Sequence, residues 1–124
     1  MFKILFSTFS AIIALASASS FAADKVLPSS PELLAKGKAA FATNCVICHG
    51  EKGDGNGPAG MALNPKPRNF AKDKFKAGAT PDAIYNTITH GLTVDGKPTT
   101  MVGFGQLSPE DRSGLVYYVL SFKK

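Results

Sequence analysis

Two cysteines and a histidine lie together in the segment Cys45-Val46-Ile47-Cys48-His49. The chain has no other cysteine, and two are too few for a disulfide scaffold. The spacing C-x-x-C-H is typical of covalent haem attachment, in which each thiol adds to one vinyl group and the next imidazole binds the iron. We therefore expect Cys45 and Cys48 to hold one haem c through thioether bonds, with His49 as an axial iron ligand.

Two other kinds of site use cysteines at this spacing. A thiol–disulfide oxidoreductase usually carries the motif in an α/β fold, with the first cysteine at a helix start. Here the motif ends a predicted helix, and the sequence shows no βαβ pattern. A zinc site needs two further ligands, and His90 is the only other histidine. The residues favour haem over both alternatives.

Three side chains are candidates for the second axial position: Met61, Met101 and His90. Chain reach excludes none of them, because an extended chain spans about 3.3–3.6 Å per residue. Methionine more commonly packs in a core, which is the alternative role for Met61. His90 falls at the end of a predicted helix, where an imidazole interacts favourably with exposed carbonyls.

Three helices are predicted from their start signals. Each signal is a hydroxyl residue followed by proline and an acid, as in Ser30-Pro31-Glu32, Thr80-Pro81-Asp82 and Ser108-Pro109-Glu110. The first helix is predicted over 31–43, and the second should end at Gly91. Gly37 lies inside the first helix, which indicates close approach of another element.

The connections between these helices are long and rich in glycine or proline, and no convincing strand is found. Residues 23–29 are predicted to form a frayed N-terminal lead. Loops of this length are unusual in a compact domain unless something else orders them. We therefore predict an all-α fold of three or more helices whose long loops surround a large apolar object.

The first 22 residues have the pattern of a secretory leader. Lys3 precedes an apolar or small-residue run over 4–18, and Ser20-Phe21-Ala22 places small residues at both key positions of a cleavage site. The apolar run is shorter than the roughly 20 residues that span a bilayer. We expect a cleaved signal peptide over 1–22, an exported domain over 23–124, and no transmembrane segment in the mature protein.

The net charge of +5 comes mainly from lysine, with 12 Lys and 2 Arg. This ratio argues against a nucleic-acid partner, because arginine dominates base recognition. Four lysines form a basic run, and they either dock on an acidic partner surface or belong to a solvated loop. These residues are Lys66, Lys72, Lys74 and Lys76. Hydrophobic residues are 44% of the chain, which excludes disorder by composition.

The mature chain resembles the class I c-type cytochromes over nearly its whole length. The shared motifs, in chain order, are Gly37 and Phe41, Cys45-x-x-Cys48-His49-Gly50, Gly53-Asp54-Gly55-x-Gly57-Pro58, Met101-Val102-Gly103-Phe104, Leu107-Ser108-Pro109-Glu110-Asp111, and Tyr118 with Phe122. The resemblance implies the cytochrome c fold around one covalently attached haem. It also implies that the terminal helices cross at Gly37, Phe41 and Tyr118.

The resemblance implies Met101 as the sixth iron ligand. Two protein ligands would keep the iron six-coordinate and leave no place for a substrate, which predicts an electron carrier rather than an enzyme. The expected protein is a periplasmic monomer that exchanges single electrons with redox partner proteins, docking on an acidic surface near the exposed haem edge. The family pattern also predicts that a proline carbonyl accepts from His49, with Pro58 as the candidate and Pro65 as the rival.

The segment over 64–68 is proline-rich. Its last residue and the two residues that follow are further candidates for haem contacts. Arg68 and Asn69 are candidates for hydrogen bonds to the propionates, and Phe70 for packing on the ring. The alternative is an ordinary surface turn with one buried phenylalanine. Three other functions stay open: a peroxidase with an open distal site, a gas or ligand sensor, and a dedicated subunit of an oxidoreductase complex.

Overall fold

The computed structural model describes residues 24–123, so the predicted signal peptide over 1–22 lies outside the described residues. The elements, in chain order, are α1 (Pro31–Asn44), α2 (Val46–His49), a 3-10 turn (Gly60–Ala62), α3 (Pro81–His90), β1 (Thr93–Val94), β2 (Lys97–Pro98) and α4 (Pro109–Ser121). The predicted all-α class is confirmed. No helix within the described part of the chain is long and apolar enough to cross a membrane.

The three long helices begin at the predicted capping residues. The hydroxyl oxygens of Ser30, Thr80 and Ser108 each accept a hydrogen bond from the backbone N–H three residues later, at 3.0–3.2 Å. A proline follows each cap at the first helical position, where its missing N–H costs nothing. The first helix ends at Asn44, one residue beyond the predicted end, and the second ends before Gly91 as predicted.

The first and last helices cross at a pair of glycines. A Cβ atom on Gly37 would overlap the carbonyl of Gly114, and a Cβ on Gly114 would overlap the carbonyl of Leu33. The two backbones therefore touch directly, which confirms the close approach predicted at Gly37. Phe41 is buried beside this crossing and meets Tyr118 edge-on, with ring centroids 5.1 Å apart.

The hydrophobic core combines the buried faces of three helices with one residue of the long connection between α2 and α3. Packing of this kind supplies most of the stability that short helices lack on their own. The core residues are Phe41, Phe70, Ile84, Tyr85, Ile88, Leu115, Val116 and Val119.

A short β-hairpin follows α3, where only loop was predicted. β1 pairs antiparallel with β2 in the register Thr93 to Pro98 and Val94 to Lys97. The turn residues Asp95 and Gly96 both have positive φ, 50° and 74°. This is the backbone that two-residue hairpins require and that Asp-Gly favours, so the dipeptide was an available signal for the hairpin.

Residues 24–29, here called the N-terminal strap, are bound to α3 and α4 instead of being frayed. The backbone N–H of Leu27 donates to Ser113 Oγ at 2.9 Å, and the Tyr117 hydroxyl donates to the Leu27 carbonyl at 2.7 Å. The carboxylate of Asp24 forms an ion pair with Arg112 at 2.9 Å. These partners lie 86 to 90 positions away, so local sequence gives no sign of them.

Candidate functional site

One cavity contains the side chains on which the sequence prediction depends. Cys45, Cys48, His49 and Met101 all line it. Much of the remaining wall is apolar, supplied by the connection between α2 and α3, by α3 itself, by the hairpin and by the segment after it. These apolar residues are Leu63, Phe75, Ile84, Leu92, Val94, Val102 and Phe104.

The cysteine–histidine motif lies where α1 gives way to α2, and the glycine-rich loop over 50–60 holds it in place. Cys45 lies between the helices, and α2 carries Cys48 and His49. Three loop N–H groups return to the motif: Gly55 donates to the His49 carbonyl at 2.8 Å, Gly57 to Cys48 at 3.2 Å and Ala59 to Ile47 at 2.9 Å. The loop thus satisfies carbonyls at the C-terminal end of α2, where a helix leaves them unpaired.

Glycine permits this close approach. A Cβ on Gly57 would overlap the carbonyls of Val46 and Ile47, and a Cβ on Gly60 would overlap the carbonyl of Cys48. At Gly57 and Gly60, therefore, the backbone of the glycine-rich loop lies directly against the motif.

His49 is fixed by packing more than by hydrogen bonds. Its ring is stacked on Phe70, with centroids 4.5 Å apart and planes inclined by 23°. Its Nδ1 atom is buried and has no hydrogen-bond partner within residues 24–123, so the carbonyls of Pro58 and Pro65 do not accept from it here. Burial lowers the pKa of His49, and a weaker interaction with the Arg68 backbone opposes that shift. The imidazole is therefore neutral near pH 7, the form that binds a metal.

Met101 lies on a loop that rests on the end of α3. The Leu92 N–H donates to the Met101 carbonyl at 3.0 Å, and the Met101 N–H donates to Thr99 Oγ1 at 3.2 Å. The Phe104 N–H donates to the Ile88 carbonyl at 2.7 Å. The Phe104 bond holds the segment after Met101 against α3, and the Leu92 bond ties Met101 itself to the residues that follow α3. The Met101 side chain lies in the wall of the cavity.

The other two candidates for the axial position lie elsewhere. Met61 is 67% exposed and His90 is exposed at the end of α3, and neither lines the cavity. Of the three candidates left open by the sequence, only Met101 is brought together with the cysteine–histidine motif.

Arg68, Asn69 and Phe70, the three further candidates for haem contacts, have different roles. Arg68 lines the cavity, as a propionate ligand must. Asn69 instead caps a turn, since its side-chain oxygen accepts from the N–H groups of Ala71 and Lys72 at 3.0 and 3.2 Å. Phe70 is in the core behind His49 and does not line the cavity, so its expected packing on the haem ring is replaced by packing on the imidazole.

Only two of the four lysines of the basic run lie at the cavity. Lys66 and Lys76 line the cavity, while Lys72 and Lys74 are exposed away from its wall. Lys66 also donates to Asn56 Oδ1 at 2.7 Å, which ties the proline-rich segment to the glycine-rich loop. A positive charge therefore lies near the cavity at two positions of the run.

The thiols are not set up as a reactive dithiol. Burial, reinforced by the neighbouring Cys48, raises the pKa of Cys45 to about 11. Thiol–disulfide enzymes need the opposite shift, because the thiolate is the nucleophile. Within the described residues, no group of three or more His, Cys, Asp and Glu side chains is placed to hold a metal ion.

Haem fits this donor set. The cavity is mainly apolar, two thiols open onto it, and a neutral buried imidazole and a thioether line it. Sequence reasoning missed the wall contributed by the hairpin, Leu92 and Val94 at its start and Thr99 at its end. The Asp95-Gly96 turn was the one available sign of it.

Comparison with known proteins gives the family. The sequence model of the family "Cytochrome c" matches residues 34–123. The chain is 39% identical over 99 residues to the cbb3-type cytochrome c oxidase subunit FixP of Azorhizobium caulinodans, covering 73% of this chain and 31% of that protein. It is 34% identical over 97 residues to the cbb3-type subunit CcoP of Rubrivivax gelatinosus, covering 78% of this chain and 28% of that protein.

This chain therefore spans less than a third of the length of either curated relative. A solved structure is also similar, a chain of the Kuenenia stuttgartiensis reducing HAO-like protein complex Kustc0457/Kustc0458. The TM-score is 0.68 at 30% identity, covering 80% of this chain and 47% of that one. The family match extends from α1 to the end of α4 and includes the motif and the Met101 segment. The chain belongs to the cytochrome c family, which implies a covalently bound haem c.

Proposed function

We propose that this protein is a periplasmic electron carrier in which Cys45 and Cys48 hold one haem c through thioether bonds, and His49 and Met101 bind its iron. The observation that supports this most is that all four side chains line one cavity, while Met61 and His90 do not. When bound, the haem supplies one-electron redox chemistry at its iron.

The two proposed ligands are both neutral near pH 7. Burial keeps the His49 imidazole unprotonated, and a thioether has no proton to lose. Met101 is also a soft ligand, which favours the ferrous state and raises the reduction potential relative to a second histidine. With both axial positions taken by side chains, no site for a substrate remains, and the protein acts as a carrier rather than an enzyme.

Arg68 and the lysines near the cavity give this carrier a binding face. Arg68, Lys66 and Lys76 line the cavity, so the rim near the proposed haem carries positive charge. Arg68 pairs with a propionate, and the lysines steer an acidic redox partner toward the haem edge. Because such steering acts between exposed charges, electron exchange with an acidic partner should slow as ionic strength rises.

Export to the periplasm is part of the same proposal. The sequence pattern over 1–22 predicts a cleaved signal peptide, and covalent attachment keeps the cofactor with an exported protein. The mature domain then runs over 23–124, and we propose that it is a monomer. The mass of the denatured holoprotein tests cleavage and attachment together, since a chain that begins at Ala23 and still carries one haem is expected. Analytical ultracentrifugation of the native holoprotein tests the monomer. A mass that retains residues 1–22 contradicts export with cleavage, and loss of the haem on denaturation contradicts the thioether bonds.

A second candidate function is a dedicated electron-transfer subunit of an oxidoreductase complex. The two curated relatives are named as subunits of cbb3-type cytochrome c oxidase, which favours this alternative. Native electrophoresis with haem staining distinguishes the two. A free carrier migrates alone in the periplasmic fraction, whereas a dedicated subunit migrates with a large complex.

Carbon monoxide tests whether the protein is a carrier. The ferrous protein at neutral pH should not bind carbon monoxide, because Met101 occupies the position that the gas needs. Rapid binding by the wild-type protein would contradict a carrier and favour a ligand sensor or a peroxidase.

A further inference from the structure

Arg112, in the first turn of α4, bonds to three separate segments. Its side chain is only 7% exposed. Nε donates to the Leu107 carbonyl at 3.1 Å, and Nη1 donates to Thr89 Oγ1 at 2.8 Å. Nη1 and Nη2 also reach the Asp24 carboxylate, at 3.2 and 2.9 Å. Because the donors of a guanidinium form a rigid fork, these three segments are held at fixed positions relative to one another.

Two of the three segments support the loop over 99–107, here called the Met101 loop. Thr89 belongs to the last turn of α3, the turn on which this loop rests through the Phe104 N–H and the Ile88 carbonyl, at 2.7 Å. Leu107 is the end of the loop itself. One guanidinium therefore fixes both the support of the loop and its C-terminal end.

The guanidinium is itself held by the N-terminal strap and by α3. The Tyr85 hydroxyl donates to Asp24 Oδ1 at 2.8 Å, which orients the carboxylate. The guanidinium carbon of Arg112 lies 4.9 Å from the centroid of the Tyr85 ring. Thr89 is held in turn, since its hydroxyl donates to the Tyr85 carbonyl at 2.8 Å. Asp24, Tyr85, Thr89 and Arg112 thus form one connected network.

We propose that Arg112, oriented by Asp24, is a positioning residue for Met101, so that the N-terminal strap helps to keep the thioether at the proposed axial position. This inference rests on the proposed ligation by Met101. Arg112 bonds both the C-terminal end of the Met101 loop and the turn of α3 that supports it, so the loop opens rarely. Weakening either bond raises the open fraction, and a competing ligand gains apparent affinity in proportion to that fraction.

The test compares network variants with a variant that removes a different hydrogen bond to the strap and leaves the Arg112 network intact. The network variants are Arg112→Lys, Thr89→Val and Asp24→Ala. The control is Tyr117→Phe, which removes the hydrogen bond to the Leu27 carbonyl, also on the strap. Two quantities are measured on the ferric holoprotein: the affinity for added imidazole, followed by loss of the sulfur-to-iron charge-transfer band, and the hydrogen-exchange rate of the Phe104 amide.

We expect the network variants to bind imidazole about tenfold more tightly and to exchange the Phe104 amide about tenfold faster, the usual size of a coupling between linked sites. Tyr117→Phe should leave both quantities within about twofold of wild type. Thr89→Val and Asp24→Ala retain the arginine itself, so they carry the test if Arg112→Lys does not fold.

Two different results separate the failure of this inference from failure of the proposed function. If the wild type lacks the charge-transfer band, Met101 is not the ligand and the proposed function is wrong on that point. If the band is present but Thr89→Val and Asp24→Ala match Tyr117→Phe in both measurements, Arg112 has a merely structural role and this inference is wrong.

Discussion

The imidazole of His49 is stacked on the phenyl ring of Phe70, with centroids 4.5 Å apart and planes inclined by 23°. Since Nδ1 of His49 has no hydrogen-bond partner within the described residues, this stacking is what sets the plane of the imidazole. The Phe70 N–H donates in turn to the Gly53 carbonyl at 2.8 Å, so the glycine-rich loop positions Phe70 as well as the motif.

Replacement of Phe70 should therefore alter the orientation of the imidazole. Phe70→Leu is expected to destabilise the holoprotein by about 1–2 kcal/mol, the range for a change of shape in a packed core. It should also shift the g values of the ferric electron paramagnetic resonance spectrum, which depend on the plane of the axial imidazole. The matched control is Phe122→Leu, from the same aromatic cluster but not stacked on His49. Equal spectra for the two variants would show that Phe70 does not orient His49.

The contact between Gly37 and Gly114 predicts an unusual sign for two alanine substitutions. Alanine normally stabilises a helix by roughly 1 kcal/mol relative to glycine. Here the added Cβ overlaps a backbone carbonyl of the other helix, so Gly37→Ala and Gly114→Ala should each destabilise by about 1–3 kcal/mol. Guanidinium unfolding of the holoprotein measures this. Lys38→Ala, at an exposed position of the same helix, should change stability by less than about 0.5 kcal/mol. A gain in stability at either glycine would contradict the direct contact.

The parts of the fold that were predictable are those written in local sequence. Ser30, Thr80 and Ser108 predict the starts of their helices because each capping hydrogen bond is made within four residues. The cysteine–histidine motif predicts haem attachment from five consecutive residues. The Asp24–Arg112 pair was not predictable, since its partners are 88 positions apart and a lone aspartate near a leader resembles any exposed residue.

The same distinction applies to the site. By residue type Met101 was one of three candidates, and only the family resemblance singled it out. The contacts with α3 that support its loop are not encoded in any local pattern. The role of Gly114 was likewise not predictable, because it depends on contact with Gly37 across the helix crossing. Phe70 was expected either to pack on the haem ring or to be buried in a surface turn, and the sequence gives no sign that it is buried against the His49 imidazole.

The Asp24–Arg112 pair predicts a loss of stability in acid. The hydrogen bonds from Arg112, and then that from Tyr85, hold the pKa of Asp24 below its ordinary value of 3.8. A carboxyl with a lowered folded-state pKa contributes stability above its unfolded pKa, and this is lost as the pH falls through the folded pKa. Wild-type stability should therefore fall as the pH drops below about 4, and Asp24→Asn should show a shallower fall. Unfolding titrations across this range measure it, with Asp95→Asn as a control that also suits the hairpin turn. Parallel curves for wild type and Asp24→Asn would contradict the prediction.

Removal of the haem should unfold most of the chain. Much of the cavity wall comes from long loops, which have little regular structure of their own to order them. A double variant, Cys45→Ala/Cys48→Ala, produced without haem should have far less helix by circular dichroism at 25 °C than the holoprotein, as in domains whose cofactor binding supplies the folding energy. Full helix content and a cooperative thermal transition in this variant would contradict that dependence.

The identity of the axial methionine is the central claim, and the ferric sulfur-to-iron charge-transfer band tests it most directly. Met101→Ala should abolish the band, lower the reduction potential and allow carbon monoxide to bind the ferrous protein. Met61→Ala and His90→Ala, at exposed positions outside the cavity, should leave the band intact. A band that disappears in Met61→Ala and persists in Met101→Ala, or that is absent from the wild-type protein, would contradict the account.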